Sequence, residues 1–397
     1  MRKAWPIKRL GEVCEFRGGG TPSKAIDEYW HGDIPWVSPK DMKFDIVFDS
    51  IDHISQDAIE GSATSLIPKN SVLIVVRSGI LARTIPIAIA GRDLTINQDL
   101  KALCPSQSVA PRFLYYFLQS KTDVLLAMVS QGATVHRLST DQIRSLEFAL
   151  PPPAEQQRIV GILDRTFEAT ALAKANTEKN LQNARAIFEG HLQSVFSRNG
   201  RSWPIKKLGD LSEQITDGTH ISPPYVESGV AMLDSKHIQD DFSIDDTEPE
   251  KFISRTTDTM LAKRCKPRTG DILISSRGSI GKIAIVREGQ DFNIMGNMIL
   301  IRLPASVSRS FAAFYLRSQV GHLESISRGV AQKGLYLNQV RDYDLPLPPE
   351  AKQAEIGKQL GALATDTQRL ANLYAGKLVA LNSLTRSLLH QAFSGEL

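Results

Sequence analysis

Two stretches of the chain share one hydrophobic pattern. From Pro151 to Ser197, apolar and small residues recur every third or fourth position, at Ile159, Leu163, Thr166, Thr170, Ala173, Thr177, Leu181 and Ala184. From Pro348 to Ser394 the series is Ile356, Leu360, Leu363, Thr367, Leu370, Tyr374, Leu378 and Leu381. That is the spacing of a helix packed along another helix. Proline fits the first turn of a helix and little else in it. Pro151-Pro152-Pro153 and Pro348-Pro349 therefore predict two helix starts, and Asn199-Gly200 predicts a stop. A run of about 44 residues is about 66 Å of helix, against a mean of about 11–12 residues in globular proteins. Helices this long need a partner, and each is the natural partner of the other. The first seam is poor in large residues and the second is rich, so an antiparallel pair can interdigitate. Membership of a larger bundle is the alternative. Leu172, Ile187, Leu373 and Leu384 fall on the outer faces, where further subunits could dock.

The two runs belong to an internal duplication. Pro151 falls on Pro348, Gln156 on Gln353, Ile159 on Ile356, Leu192 on Leu389 and Phe196 on Phe393, all 197 apart. Upstream, Leu138, Gln142 and Arg144 fall on Leu335, Gln339 and Arg341. Trp5-Pro6-Ile7-Lys8-Arg9-Leu10-Gly11 returns as Trp203-Pro204-Ile205-Lys206-Lys207-Leu208-Gly209. Strand candidates also repeat: Ile34 to Val37 with Val230 to Leu233, Val72 to Val76 with Ile272 to Ile274, Ile85 to Ala90 with Ile283 to Val286, and Leu100 to Leu103 with Ile299 to Leu303. One amphipathic helix is expected near the end of each half, over 111–128 and 308–326. The offset drifts between 196 and 200 along the chain, so the framework repeats while the loops differ. Such a pair points to two related tasks on different ligands. The expected fold is α+β: two pseudo-symmetric α/β units joined by two long antiparallel coiled-coil helices. The expected divisions are 1–150, 151–198, 199–347 and 348–397.

Composition narrows the class. With 397 residues, 42% hydrophobic and 23% charged, the chain has enough apolar surface for more than one packed core. A net charge of +4 and a pI near 8.8 permit a nucleic-acid partner without demanding one. Cys14, Cys104 and Cys265 are scattered and unrepeated, which predicts reduced thiols. The first residues show no apolar signal region, and no apolar run approaches the about 18 residues of a membrane span. These readings predict a cytoplasmic protein without membrane contact.

Catalytic motifs are sparse. Ser222-Pro223-Pro224-Tyr225 has the form with which amino-methyltransferases hold a flipped base. No strand followed by GxG accompanies it, so a proline-stiffened loop is expected instead. Asp234-Ser235-Lys236 is the nearest approach to a nuclease cluster, and the first half has no carboxylate there. The histidines form no HxxxH pair for zinc, and neither a GxSxG elbow nor a Walker A loop is present. What remains is a set of Gly-rich loops carrying groups that read bases and phosphates. In the first half these are Lys40, Arg77, Ser78, Asn97, Gln98, Thr134, His136 and Arg137. In the second they are His220, Lys236, Arg277, Ser279, Lys282, Asn297, Gln332 and Lys333. Their recurrence in both halves favours DNA contact over simple solvation.

Several stretches carry a family resemblance. They are Gly19-Gly20-Thr21-Pro22 with Tyr29-Trp30-His31-Gly32-Asp33-Ile34-Pro35-Trp36-Val37, Ile215-Thr216-Asp217-Gly218-Thr219-His220 with Pro223-Pro224-Tyr225, Thr95-Ile96-Asn97-Gln98-Asp99-Leu100, Ser275-Ser276-Arg277-Gly278-Ser279-Ile280-Gly281-Lys282, Leu150-Pro151-Pro152-Pro153-Ala154-Glu155-Gln156 and Ala392-Phe393-Ser394-Gly395-Glu396-Leu397. Over its whole length the chain resembles the specificity subunit of a type I DNA restriction–modification enzyme. It departs at Arg77-Ser78-Gly79-Ile80-Leu81-Ala82, where the second half has the fuller Arg277-to-Lys282 form, and at Ile294-Met295-Gly296-Asn297, where the first half has Asn-Gln. The resemblance implies two target recognition domains, each reading one half of a bipartite double-stranded DNA site, held apart by the helices. It implies a non-catalytic subunit without a cofactor of its own. Two modification (methyltransferase) subunits would bring S-adenosylmethionine for adenine-N6 methylation. Two restriction (motor and nuclease) subunits would bring ATP- and Mg2+-dependent restriction. A stand-alone methyltransferase or nuclease is the rival reading.

Overall fold

The computed structural model describes residues 5–132, 135–199, 202–328 and 333–397. Thr134, Gln332 and Gly200 lie outside the described residues. Both long helices are present. The first is Pro153–Asn199, with 47 residues, and the second is Glu350–Ser394, with 45. Gly395, in the left-handed region at φ 80°, follows the second helix, where glycine carries no Cβ penalty.

The chain forms two compact units, Met1–Asn176 with Leu378–Leu397, and Thr177–Lys377. Each long helix therefore contributes one part to each unit. In the first unit, Val72–Val75 is buried on both faces, as an unbroken apolar run requires. It sits at the centre of a five-stranded sheet in the order Cys14–Gly18, Leu100–Pro105, Val72–Val75, Ile87–Ala90, Ile46–Val47. A smaller sheet places Ile34–Val37 between Asp52–Ile54, antiparallel, and Thr95–Ile96, parallel. Ile7–Arg9 pairs with Glu147–Ala149 and closes the unit just before the first long helix.

The second unit repeats this plan. Its main sheet runs Gln214–Asp217, Met298–Arg302, Ile272–Ser275, Ile283–Ile285. A second sheet holds Val230–Leu233 between Phe252–Ile253, antiparallel, and Phe292–Ile294, parallel. Ile205–Lys207 pairs with Asp344–Pro346 in the same closing role.

The amphipathic helix expected in each half is broken. Pro111–Ser120 is followed by Thr122–Ala127, and Arg309–Ser318 by Val320–Ile326. The breaks fall at Lys121 (φ −100°, ψ 7°) and Gln319 (φ −104°, ψ 12°), which leave the helical region. Aromatic residues of these helices meet the long helices. Phe113 packs on Phe393 with ring centroids 5.1 Å apart, and its counterpart Phe311 packs on Phe196 at 5.6 Å.

Within each unit the two long helices run antiparallel. In the first, Arg158 Nη2 donates to the Leu397 carbonyl at 2.9 Å. Further along, Phe167 and Thr170 share a cavity wall with Thr385 and Leu389. In the second, Phe188, Leu192 and Phe196 share a core with Ile356 and Leu360. One seam position differs from expectation. Leu370 is 42% exposed, and Ala371 takes the inward place. A straight helix drifts about 20° per heptad against a 3.5-residue repeat, so a fixed pattern walks off the contact line. Leu172, Ile187, Leu373 and Leu384 are exposed, as their outer-face positions predict.

The repeated Pro-Pro-x-x-x-Gln start has a structural reason. Gln156 is fully buried at the first turn. Its Oε1 accepts from the Ala110 amide at 2.8 Å, and its Nε2 donates to the carbonyls of Ser108 and Pro151, each at 2.8 Å. Gln353 does the same with the Ser308 amide at 2.9 Å and the Pro348 carbonyl at 2.8 Å. Each glutamine ties the start of a long helix to the start of the shorter aromatic one. Gln156→Leu leaves three backbone groups without this partner. An unsatisfied buried group costs about 1–3 kcal/mol, so we expect about 3 kcal/mol or more, read as a lowered urea midpoint with an unchanged slope.

Candidate nucleic-acid interface

The same loop junction is built twice, at one end of each main sheet. The strand Cys14–Gly18 ends beside the turn after Thr95–Ile96, and Gln214–Asp217 ends beside the turn after Phe292–Ile294. A Cβ on Gly19 would stand 1.9 Å from the Ile96 carbonyl oxygen, and one on Gly218 would stand 2.1 Å from that of Ile294. Only glycine permits this approach. It is secured by Gly20 N–H to Ile96 O at 3.1 Å in the first unit. In the second unit Thr219 N–H reaches Ile294 O at 3.2 Å and Gly296 N–H reaches Thr219 O at 2.7 Å.

Around the first junction, Arg77–Ser78 pairs antiparallel with His136–Arg137. Four of the residues expected at an interface are thereby gathered on one two-stranded ribbon. Arg137 is exposed, and Arg77 Nε lies 3.9 Å from Asp99 Oδ1. Ser78 Oγ accepts from the Ile80 amide at 3.3 Å. His136 Nδ1 is buried with no hydrogen-bond partner among the described residues. Gln98 is exposed, and its Oε1 accepts from Thr21 Oγ1 at 2.5 Å. Asn97 is turned inward: it is 5% exposed, donates to Asp99 Oδ2 at 3.1 Å and accepts from the Asp99 amide at 3.0 Å.

Around the second junction, Arg277, Ser279 and Lys333 are exposed. Arg277 bridges to Gly334 and makes no ion pair among the described residues. Lys282 is half-buried, with Nζ 3.5 Å from the Ile238 carbonyl. Asn297 donates to Ser235 Oγ at 3.0 Å, while its buried Oδ1 has no partner among the described residues. His220 lines a cavity of about 330 Å³ together with Asp217, Arg277 and Tyr336.

Lys40 and Lys236 repeat a different device. Each sits on a short 3-10 turn: Pro39–Asp41, where the Ser38 amide and hydroxyl donate to Asp41 Oδ2, each at 2.9 Å, and Ser235–His237, capped by Asp234 Oδ1, which accepts from the Lys236 amide at 3.0 Å. Each is met by a carboxylate: Lys40 Nζ to Asp52 at 2.7 Å, and Lys236 Nζ to Glu250 at 2.5 Å. Those hydrogen bonds raise both ammonium pKa values and lower that of Glu250. Both pairs are exposed, so solvent screens them and they contribute little to stability. A phosphate can compete for either lysine.

The sequence patterns did not reveal Asp217, Arg264 and Tyr336 as site residues. Asp217 was visible within the Ile215-to-His220 stretch, whereas its contact with Arg264 comes from a distant loop. The remaining motifs are accounted for structurally. Tyr225 of Ser222-Pro223-Pro224-Tyr225 begins the strand Tyr225–Val226, and Lys251 Nζ lies 5.1 Å from its ring centroid. Burial pushes the thiols of Cys14 and Cys265 up to about 12, which keeps them protonated and unreactive near neutral pH. Among the described residues no helix is long and apolar enough to cross a membrane, and no three metal-ligating side chains gather at one point.

The likeness to known proteins follows the duplication. The family model described as the type I restriction modification DNA specificity domain matches residues 2–183 and again 194–373. The EcoR124I/EcoR124II specificity subunit of Escherichia coli is 38% identical over 192 residues, covering 48% of this chain and 48% of that one. The MjaIX specificity subunit of Methanocaldococcus jannaschii is 30% identical over 227 residues, covering 53% of this chain and 52% of that one. The chain thus spans about half the length of these two relatives. A solved chain, described under complex assembly and conformational transition of the type I R-M system, shares the fold. It has a TM-score of 0.77 at 18% identity, covering 100% of this chain and 99% of that one. With both matched segments falling on the two structural repeats, the chain belongs to the type I restriction–modification DNA specificity family.

Proposed function

We propose that the chain is the non-catalytic subunit that gives a type I restriction–modification enzyme its DNA sequence. Each unit reads one half of a bipartite duplex target. Two modification subunits, carrying S-adenosylmethionine, methylate adenine N6 at that target. Two restriction subunits add ATP- and Mg2+-dependent translocation and cleavage, all in the cytoplasm. The observation that carries this reading is the twice-built loop junction: one framework, held by Gly19 and Gly218, presenting different side chains. Arg77, Ser78, His136 and Arg137 are the reading group of the first unit. His220, Arg277, Ser279 and Lys333 are that of the second. Lys40 and Lys236 meet phosphates, which position a protein without specifying sequence.

The long helices act as the spacer, since linking two readers raises specificity through effective concentration only if their separation suits the site. Inserting four residues into both helices adds about 6 Å to each, close to two base-pair steps of about 3.4 Å. Methylation mapping should then show the non-specific gap lengthened by about two base pairs. An unchanged gap would sink the spacer role. The purified chain alone, given S-adenosylmethionine or Mg2+ with DNA, should neither methylate nor cut. Turnover in either assay restores the stand-alone enzyme as the better reading.

A further inference from the structure

The second unit has a side-chain arrangement that the first lacks, and it surrounds an open cavity. The cavity, of about 330 Å³, is lined by Asp217, His220, Arg277, Gly296 and Tyr336. Asp217 accepts from His220 Nε2 at 2.6 Å and also binds Arg264, which comes from a different loop. An ionised carboxylate only accepts, so the His220 proton sits on Nε2 and the ring is fixed from that side. From the other side the ring is fixed by Gly296, where a Cβ would come within 2.4 Å of Nδ1. His220 is therefore a rigid wall. Tyr336, also in the lining, is 47% exposed, a large aromatic left open to solvent. Arg277 lines the same cavity, exposed and without an ion pair among the described residues.

The equivalences of Gly19 with Gly218, of Leu138 with Leu335 and of the strand Val72–Val75 with Ile272–Ser275 give the matching positions in the first unit. Gly18 stands for Asp217, Thr21 for His220 and Ser139 for Tyr336, while Arg77 is kept for Arg277. The arginine is thus common framework, and the wall, its buttress and the aromatic are added in one copy only.

We propose that this cavity is a guanine-reading subsite of the second unit, an inference that rests on the DNA-reading function above. Arg277 supplies the paired donors that match guanine O6 and N7 in the major groove. Tyr336 presents an apolar ring to the edge of the neighbouring base pair, where a thymine methyl would meet it. Asp217 is a positioning residue: it touches no base and acts by holding His220.

The test uses the chain assembled with its methyltransferase partner, on duplexes randomised over both halves of the site, with methylated products sequenced. Arg277→Lys loses the planar fork, so guanine preference at one position of the second half should fall about 10- to 100-fold. Tyr336→Ala should relax an adjacent position, and Tyr336→Phe, which keeps the ring, should restore it. Asp217→Asn and His220→Ala should relax the same position as each other. Preferences in the first half should stay unchanged throughout. The subsite is overturned if assembled Arg277→Lys and Tyr336→Ala complexes keep the original second-half preferences, or if both halves relax equally. A wild-type complex with no base preference in either half overturns the DNA-reading function, and the subsite with it.

Discussion

Gly218→Ala should erase recognition of one half of the DNA target while sparing the other. The new Cβ would stand 2.1 Å from the Ile294 carbonyl oxygen and 2.4 Å from that of Met295. Both obstacles are backbone, and a side-chain rotation cannot relieve them. The loop at Gly218 must move off the sheet end, and the hydrogen bonds between Thr219 and residues 294 and 296 go with it. His220 and Arg277 then lose their fixed relation. A good base contact is worth about 1–3 kcal/mol, so losing two gives about 100-fold or more in specific affinity. Gly19→Ala, with its Cβ 1.9 Å from the Ile96 carbonyl oxygen, should do the same to the other half. Competition binding of the assembled complex on duplexes with one half scrambled separates the two. Loss of both halves by either variant would mean that the junction serves overall folding and not local reading.

Arg302→Met should destabilise the second unit by about 3–5 kcal/mol, the cost of stranding a buried charge. Arg302 makes two bonds to Asp271, Nε to Oδ1 at 2.9 Å and Nη2 to Oδ2 at 2.6 Å. It also donates to Gln214 Oε1 at 2.8 Å and to the Lys266 carbonyl at 3.0 Å. The Asp271 side chain is only 3% exposed, so water cannot replace the guanidinium. Whole domains are stable by about 5–15 kcal/mol, so the loss is a large share. The first unit shows that the pair is not required by the fold. By strand register Cys104 stands where Arg302 does and Ser71 where Asp271 does, and their Sγ and Oγ atoms are 3.3 Å apart. Arg302→Met combined with Asp271→Ser removes both charges and should recover part of the loss. Urea midpoints for the single and double variants decide: equal losses would mean that packing around the arginine stem matters, not the stranded charge.

The duplicated framework was legible in the sequence because it rests on local signals. Proline starts, β-branched runs and heptad-like spacing each act within a few residues, and each appears twice. Features that depend on three-dimensional closure were not legible. The breaks at Lys121 and Gln319 interrupt an apolar pattern that continues through Leu125 and Leu323, and nothing in that pattern marks where the helix turns. Leu370 lies exposed because helical drift accumulates over many turns. Asn97 belongs to a loop of recognition-like residues, yet it is folded back on Asp99. Lys40 and Lys236 look free in sequence and meet carboxylates brought by neighbouring segments, Asp52 at the start of a strand and Glu250 ahead of one. The Asp217–His220–Arg264 cluster needs tertiary structure to be seen at all, since Arg264 comes from a turn far along the chain from the strand that ends at Asp217.

The central claim is that each unit reads its own half of one bipartite target. It is tested most directly by mapping N6-methyladenine across the genome of cells carrying this chain and its methyltransferase partner, and again after residues 1–150 are exchanged for the corresponding unit of another family member. The account predicts an asymmetric two-part motif that depends on this chain, with one half replaced by the exchange and the other half kept. A motif independent of the chain, or one in which both halves change together, would contradict it.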